Sequence, residues 1–186
     1  MVADPTLLNP KEFPIMCQDG KEKTLIFSKI PAVQMREIIC KITAASVPDI
    51  EKYEINQETM LKMMAYVAVP MKTGVDLRLT TAELVNSHIP DWEALDRAEK
   101  CLLQYNCSFF FSRQALNFLR AMPSDGEAEG HRNIDNFIAT IVSDGKATLH
   151  ELKTVYDLEE AFLLWDCIAV SRYNNYMAQK NAQKRR

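Results

Sequence analysis

The sequence has none of the common signatures of catalysis. Its 186 residues include only five glycines, and neither GxGxxG nor GK[ST] occurs, which excludes the usual phosphate-cradling loops. No GxSxG motif is present, and His88, His131 and His150 belong to no recognisable triad. We therefore expect a protein that is not an enzyme and that uses no cofactor.

Paired cysteines are also missing. The five cysteines are an odd number, and no two of them have CxxC spacing: Cys17, Cys40, Cys101, Cys107 and Cys167. A disulfide framework or a zinc site is therefore not expected. The pattern favours reduced thiols in a cytosolic protein, most of them packed as small hydrophobic side chains.

Long apolar runs and a strong charge of one sign are absent as well. Charged residues interrupt every apolar stretch before the ~18 residues that a membrane span needs. Residues 1–5 have neither the basic nor the apolar region of a signal peptide, so none is expected. The formal net charge is −3, which favours neither nucleic acid nor membrane as a partner. What is present is an ordinary globular composition, 47% hydrophobic and 25% charged.

The pattern predicts a mostly α (α+β) fold, with an N-terminal β-hairpin followed by a bundle of about seven helices. Asp19-Gly20 lies between two apolar runs and predicts the hairpin over residues 13–27. Helical periodicity dominates from Pro31 onward. We expect a flexible arm over 1–12, a single helical domain over 13–180 and a basic tail over 181–186. The polar loop 123–130 could hinge two lobes of that domain.

Side chains that can cap helices mark most of the predicted helix starts. Three pairs have capping-box spacing: Thr80 with Glu83, Thr148 with Glu151, and Asp157 with Glu160. Asp91 opens another helix. Asn56 predicts a helix through Val67, and Ser112 predicts one through Met122.

The last helix carries the widest apolar stripe in the chain. Its members recur at helical spacing: Leu158, Ala161, Phe162, Trp165, Ile168, Ala169 and Tyr173, with Leu164, Cys167 and Val170 on the flank. A stripe this wide must be covered by the chain itself or by a partner. Trp165 stands in the middle of the stripe and is predicted to be a core anchor.

Methionine and phenylalanine clusters are the other candidate binding features. Methionine adapts to irregular surfaces, whereas three consecutive phenylalanines cannot all face one side of a helix. Each cluster is at least equally well explained as core, and core is the favoured interpretation of the methionines at helical spacing. The candidate partner-binding residues are Met60, Met63, Met64, Met71, Phe109, Phe110, Phe111, Trp165, Tyr173 and Tyr176.

Three blocks of the chain are similar to phrases found together in one protein family. Residues 13–31 contain Gly20-Lys21 and Leu25, which is similar to the "gly-lys-x-x-x-leu" phrase of a short hairpin before a helical body. Residues 102–111 resemble a "leu-x-x-asn-phe-x-phe-phe" phrase, although Cys107 stands in place of an aromatic residue. Residues 156–162 and 172–176 resemble a terminal helix. In these three blocks the chain resembles the tail assembly chaperones of tailed bacteriophages.

This resemblance implies a non-enzymatic protein of the host cytoplasm. Such chaperones bind the tape measure protein, keep it soluble during virion assembly and recruit tail tube protein through protein–protein interactions. Self-association is a further expectation. Two alternatives stay open, namely a structural minor tail or tail-completion protein, and a small cytosolic enzyme using His88, His131 or Cys107.

Overall fold

A computed structural model describes residues 7–43, 57–72, 74–89, 91–114, 116 and 133–184. Four strands and eight helices lie within these residues, in the order β1 (Leu8–Met16), β2 (Glu22–Lys29), α1 (Ala32–Thr43), α2 (Gln57–Met64), β3 (Val67–Val69), β4 (Leu77–Arg78), α3 (Ala82–His88), α4 (Trp92–Cys107), α5 (Phe109–Ser112), α6 (Asn136–Ser143), α7 (Leu149–Thr154) and α8 (Leu158–Lys184). The expected α+β class is confirmed. The predicted bundle of about seven helices is not confirmed, since several helices span only one or two turns and pack around the sheet and α8.

The N-terminal hairpin is confirmed, and its turn has the predicted chemistry. β1 and β2 pair antiparallel, with Ile15 opposite Lys23. Gly20 has a φ of 78°, and its N–H donates to the carbonyl of Cys17 at 3.0 Å. Because glycine adopts positive φ without a Cβ clash, it closes a three-residue loop between the strands.

The sheet has two more strands than the sequence predicted. Its order is β1-β2-β3-β4, and all neighbours are antiparallel. Residues 67–69, expected at the end of a helix, are strand because Val67 pairs with Phe27 of the buried β2. The preceding helix therefore ends at Met64 instead of Val67. Leu79 N–H donates to the carbonyl of Val67, which continues the pairing beyond β4.

The first strand begins inside the predicted arm 1–12, at Leu8. Ser28 Oγ donates to the carbonyl of Leu8 at 3.0 Å, and the hydroxyl of Tyr105 donates to the carbonyl of Asn9 at 2.6 Å. These contacts tie residues 8–9 to the body, so the arm prediction is wrong from Leu8 onward. Residues 1–6 lie outside the described part of the chain.

β1 is an edge strand, and a proline restricts its open side. The N–H of Cys17 donates to the carbonyl of Lys21, so these two residues form a hydrogen-bonded pair. Going back along β1 from this pair, the backbone N–H and C=O groups of successive residues point alternately away from β2 and toward it. Pro14, opposite Thr24, falls where an N–H would point away from the sheet. Since proline has no N–H, it removes a donor from the edge that another strand would use.

Several helix starts follow the predicted caps. Thr148 with Glu151 forms the capping box of α7, and Asp157 with Glu160 forms that of α8, whose two reciprocal bonds are both 2.9 Å. Asp91 caps α4 through the N–H of Ala94. The cap of α3 is Thr81 rather than the predicted Thr80.

Two other boundaries differ from prediction. The three phenylalanines form a short helix that ends at Ser112, so Ser112 is not the N-cap that was predicted. Residues 117–122 of the helix predicted after it lie outside the described residues. α8 continues to Lys184, so residues 181–184 are its exposed last turn rather than a tail. The predicted hinge 123–130 lies outside the described residues.

Two groups of buried side chains meet beneath α8. The first covers the sheet, α2 and α4 and includes Phe27, Met35, Met63, Met64 and Leu102. The second lies between α1, α6, α7 and α8 and includes Ala32, Ile138, Ile141, Leu152, Ala161 and Ile168. Phe137 and Phe162 both lie where the two groups meet. Phe137 borders both groups, and its ring is tilted against that of Phe162 with the centroids 4.4 Å apart.

Candidate interaction surface

An aromatic row crosses the surface where α5, α6 and α8 meet. It consists of Phe110, Phe162, Phe137 and Trp165, with centroid separations of 5.2, 4.4 and 6.4 Å from each ring to the next. These separations lie within the range of favourable ring pairing. The row therefore joins three helices that come from distant parts of the chain.

Two arginines lie over this aromatic row, and each is held by a carboxylate. The guanidinium of Arg113 is 4.8 Å from the centroid of Phe162 and forms an ion pair with Asp166. That of Arg36 is 5.6 Å from the centroid of Phe137 and pairs with Asp135 at 2.8 Å. Burial raises the pKa of the Asp135 carboxyl, but hydrogen bonds from Arg36 and the α6 backbone outweigh it and hold the pKa below its usual range.

The phenylalanine run divides sharply between core and surface. Phe109 is buried against the first core group, whereas Phe110 is 41% exposed and Phe111 is 83% exposed. α5 follows α4 directly, and the ion pair between Arg113, the residue after α5, and Asp166 of α8 holds α5 against α8. Two adjacent exposed phenylalanines are unusual on a surface that meets only water.

The methionines prove to be mostly core. Met63 and Met64 are fully buried, and Met60 packs on the same core group, so these three do not form an open groove. Met71 is exposed but lies in the β3–β4 connection, on the sheet rather than on α8. The interpretation of Met60, Met63 and Met64 as core is therefore the one that the structure supports.

The remaining candidates lie along α8. Trp165 is half-buried against the second core group, and Tyr173 and Tyr176 are half-buried further along the helix. Cys167 and Val170, expected to widen the core stripe, are exposed, and so is Leu163, which the sequence did not single out. The open surface on this side of α8 includes Asp166, Cys167, Val170, Ser171, Asn174 and Asn175.

Cys107, which the alternative of a small enzyme would use, is half-buried. Burial raises the pKa of the Cys107 thiol to about 11, which disfavours the thiolate that a nucleophile needs. Within the described residues there is no group of His, Cys, Asp and Glu placed to hold a metal ion. His131 lies outside those residues.

No helix in the described ranges has the length and apolar character needed to cross a lipid bilayer. Comparison of the chain with protein-family models, with curated proteins and with solved structures finds no match.

Proposed function

We propose that this protein is a tail assembly chaperone, which binds the tape measure protein in the host cytoplasm and assists assembly of the tail tube. The observation that carries the proposal is the exposed pair Phe110–Phe111 beside α8. Both residues lie within one of the three blocks that resemble the family. Tail tube protein is proposed as the second partner.

The geometry of the phenylalanine pair suits a helical client. Phe110 packs edge-on against Phe162 of α8, and Phe111 extends beyond it into solvent. Helices that expose one apolar face are recognised by anchoring that face against aromatic and aliphatic side chains. The neighbouring Arg113 is engaged by Asp166, so the surface beside the pair is fixed before a client arrives.

Co-expression with a tape measure protein tests this proposal. Replacing Phe110 and Phe111 together by Ser should leave the chaperone folded and reduce the soluble yield of the client. Trp92→Ser is the matched control, because Trp92 is 72% exposed at the opposite end of α4. If the soluble yield of the client falls equally with both variants, or falls with neither, the assignment of this surface is contradicted.

Mass spectrometry of purified virions provides an independent test. A chaperone is expected to be absent from the finished particle. Its presence in stoichiometric amounts would instead identify a minor tail or tail-completion protein.

A further inference from the structure

A strict heptad pattern runs along the side of α8 that faces away from the core. Its eight residues alternate in spacing between three and four: Glu160, Leu163, Cys167, Val170, Asn174, Met177, Asn181 and Lys184. We call this the outer heptad face. At about 100° per residue it lies opposite the buried Ala161 and Ile168. All of its members are exposed except Met177, which is half-buried.

The outer heptad face has the composition of a helix–helix contact at its centre. Leu163 is 60% exposed and Val170 is 39% exposed, with Cys167 between them. The open surface around Cys167 and Val170 is formed by their α8 neighbours Asp166, Ser171, Asn174 and Asn175. A repeat of 3.5 residues keeps one stripe of a straight helix facing a second helix, which is the pattern of coiled coils.

We propose that the outer heptad face is covered by α8 of a second copy of this chain, packed antiparallel across a two-fold axis. In this arrangement Glu160 meets the second copy's Lys184, and Cys167 meets its Met177. Val170 meets the second copy's Asn174, and Leu163 meets its Asn181. The contact is the same on both chains, as a two-fold interface requires.

Charge selects this orientation over the parallel one. A parallel pair would place Glu160 beside Glu160 at one end and Lys184 beside Lys184 at the other, and like charges in contact repel. The antiparallel pair places opposite charges at both ends. It also brings Asp166, on the flank, near the second copy's Lys180.

The phenylalanine pair lies beside this interface and is not part of it. α5 lies along the N-terminal half of α8, because Phe110 contacts Phe162 and Arg113 pairs with Asp166. The C-terminal half of the second copy's α8 would pass this point. The contact then spans the length of the heptad pattern, about 36 Å at a rise of 1.5 Å per residue, and leaves the exposed phenylalanine rings free for a client.

The amide side chains in the pattern weaken the pair. Asn174 and Asn181 each face an aliphatic side chain, and a polar residue in such a seam specifies register at a cost in stability. The proposed dimer therefore depends on protein concentration. It does not depend on the chaperone assignment, since it rests only on the outer heptad face and its charges.

Sedimentation of the full chain over a wide concentration range tests for the dimer. We expect a monomer–dimer equilibrium, and we expect Val170→Glu to weaken it about tenfold or more, because the change buries a carboxylate. Val75→Glu is the matched control at an exposed valine on the sheet side and should leave the equilibrium unchanged. A monomer at every concentration, or a dimer insensitive to Val170→Glu, would overturn the proposal.

Cross-linking tests the orientation. Met177→Cys places a thiol opposite the second copy's native Cys167, so mild oxidation should produce a covalent dimer. Adding Cys167→Ser to that variant should prevent the cross-link. Oxidation of the unmodified chain to a Cys167–Cys167 dimer would show parallel packing and reject the antiparallel model. A protein that stays monomeric alone but binds an added client helix through Val170 would show that a client occupies the face.

Discussion

Replacing Asn106 by alanine should destabilise the fold more than any exposed substitution. Asn106 is 2% exposed at the end of α4 and connects that helix to the junction between β2 and α1. The N–H of Ile30 donates to Asn106 Oδ1 at 2.7 Å, and Asn106 Nδ2 donates to the carbonyls of Leu102 at 2.9 Å and Ser28 at 3.4 Å. The amide therefore satisfies backbone groups that water does not reach.

Its removal leaves the N–H of Ile30 without an acceptor in the core. An orphaned buried donor costs about 1–3 kcal/mol, and the lost side-chain volume adds to that cost, so the free energy of unfolding should fall by about 2–4 kcal/mol. Urea unfolding followed by circular dichroism measures the difference. Asn175→Ala, at an exposed asparagine of α8, is the control and should stay within about 0.5 kcal/mol.

Asn106→Asp distinguishes the hydrogen bonds from simple packing. Aspartate keeps an oxygen that can accept from the N–H of Ile30. Its second oxygen, however, replaces the NH₂ group that donates to the carbonyls of Leu102 and Ser28, so a carboxylate would face two carbonyl oxygens. Burial should raise its folded-state pKa above the unfolded value, so the variant should gain stability as pH falls and lose it as pH rises through the folded pKa. Loss of less than about 0.5 kcal/mol in Asn106→Ala, or an Asp variant with no such pH dependence, would refute this reasoning.

Three further predictions concern titration, packing and the sheet edge. Burial, aided by Asp96, raises the pKa of Glu99 from 4.5 to about 7, so the free energy of unfolding should fall as pH rises between those values. Glu99→Gln should remove this pH dependence and add about 1–3 kcal/mol of stability at pH 8. Urea titrations that show the same pH dependence in the variant would contradict the prediction. Trp165→Ala should lower the free energy of unfolding by about 2–3 kcal/mol, less than the roughly 3–5 kcal/mol of a fully buried tryptophan, because the ring is only half-buried. A smaller decrease in melting temperature than in Val170→Glu would contradict a packing role for Trp165. Pro14→Val should restore an outward N–H on β1 and increase aggregation measured by light scattering, whereas no increase would mean that the edge is protected by other features.

Local signals in the sequence predicted the parts of the fold that depend on neighbouring residues. The capping boxes at Thr148 and Asp157 and the Asp19-Gly20 hairpin are each complete within a few residues. β3 was missed because its three residues carry no pattern of their own. They become strand by pairing with Phe27, about forty positions earlier in the chain.

The candidate surface was predictable only in part, for a related reason. The run of phenylalanines drew attention to α5, but its division into buried Phe109 and exposed Phe111 depends on how α5 lies against α8. The exposure of Leu163 and Val170 likewise depends on which side of α8 the other helices cover. A periodic stripe shows that a helix is amphipathic, but the width that neighbours cover is a property of the assembled fold.

The bridge between Pro31 and Asp157 sets a condition on how this chain folds during synthesis. The two residues pair as an isolated antiparallel bridge, and Ala32 N–H donates to the carbonyl of Tyr156 at 2.8 Å. α1 therefore reaches its packed position only after about 126 further residues have left the ribosome, which takes roughly 6–25 s at typical bacterial and eukaryotic translation rates. Until then the side of α1 that faces α7 and α8 has no covering helix, whereas β2 can already pack against α2 and α4. The apolar face of α1 is therefore exposed to aggregation while the protein is still being translated, and slower elongation near the C-terminus would lengthen that interval.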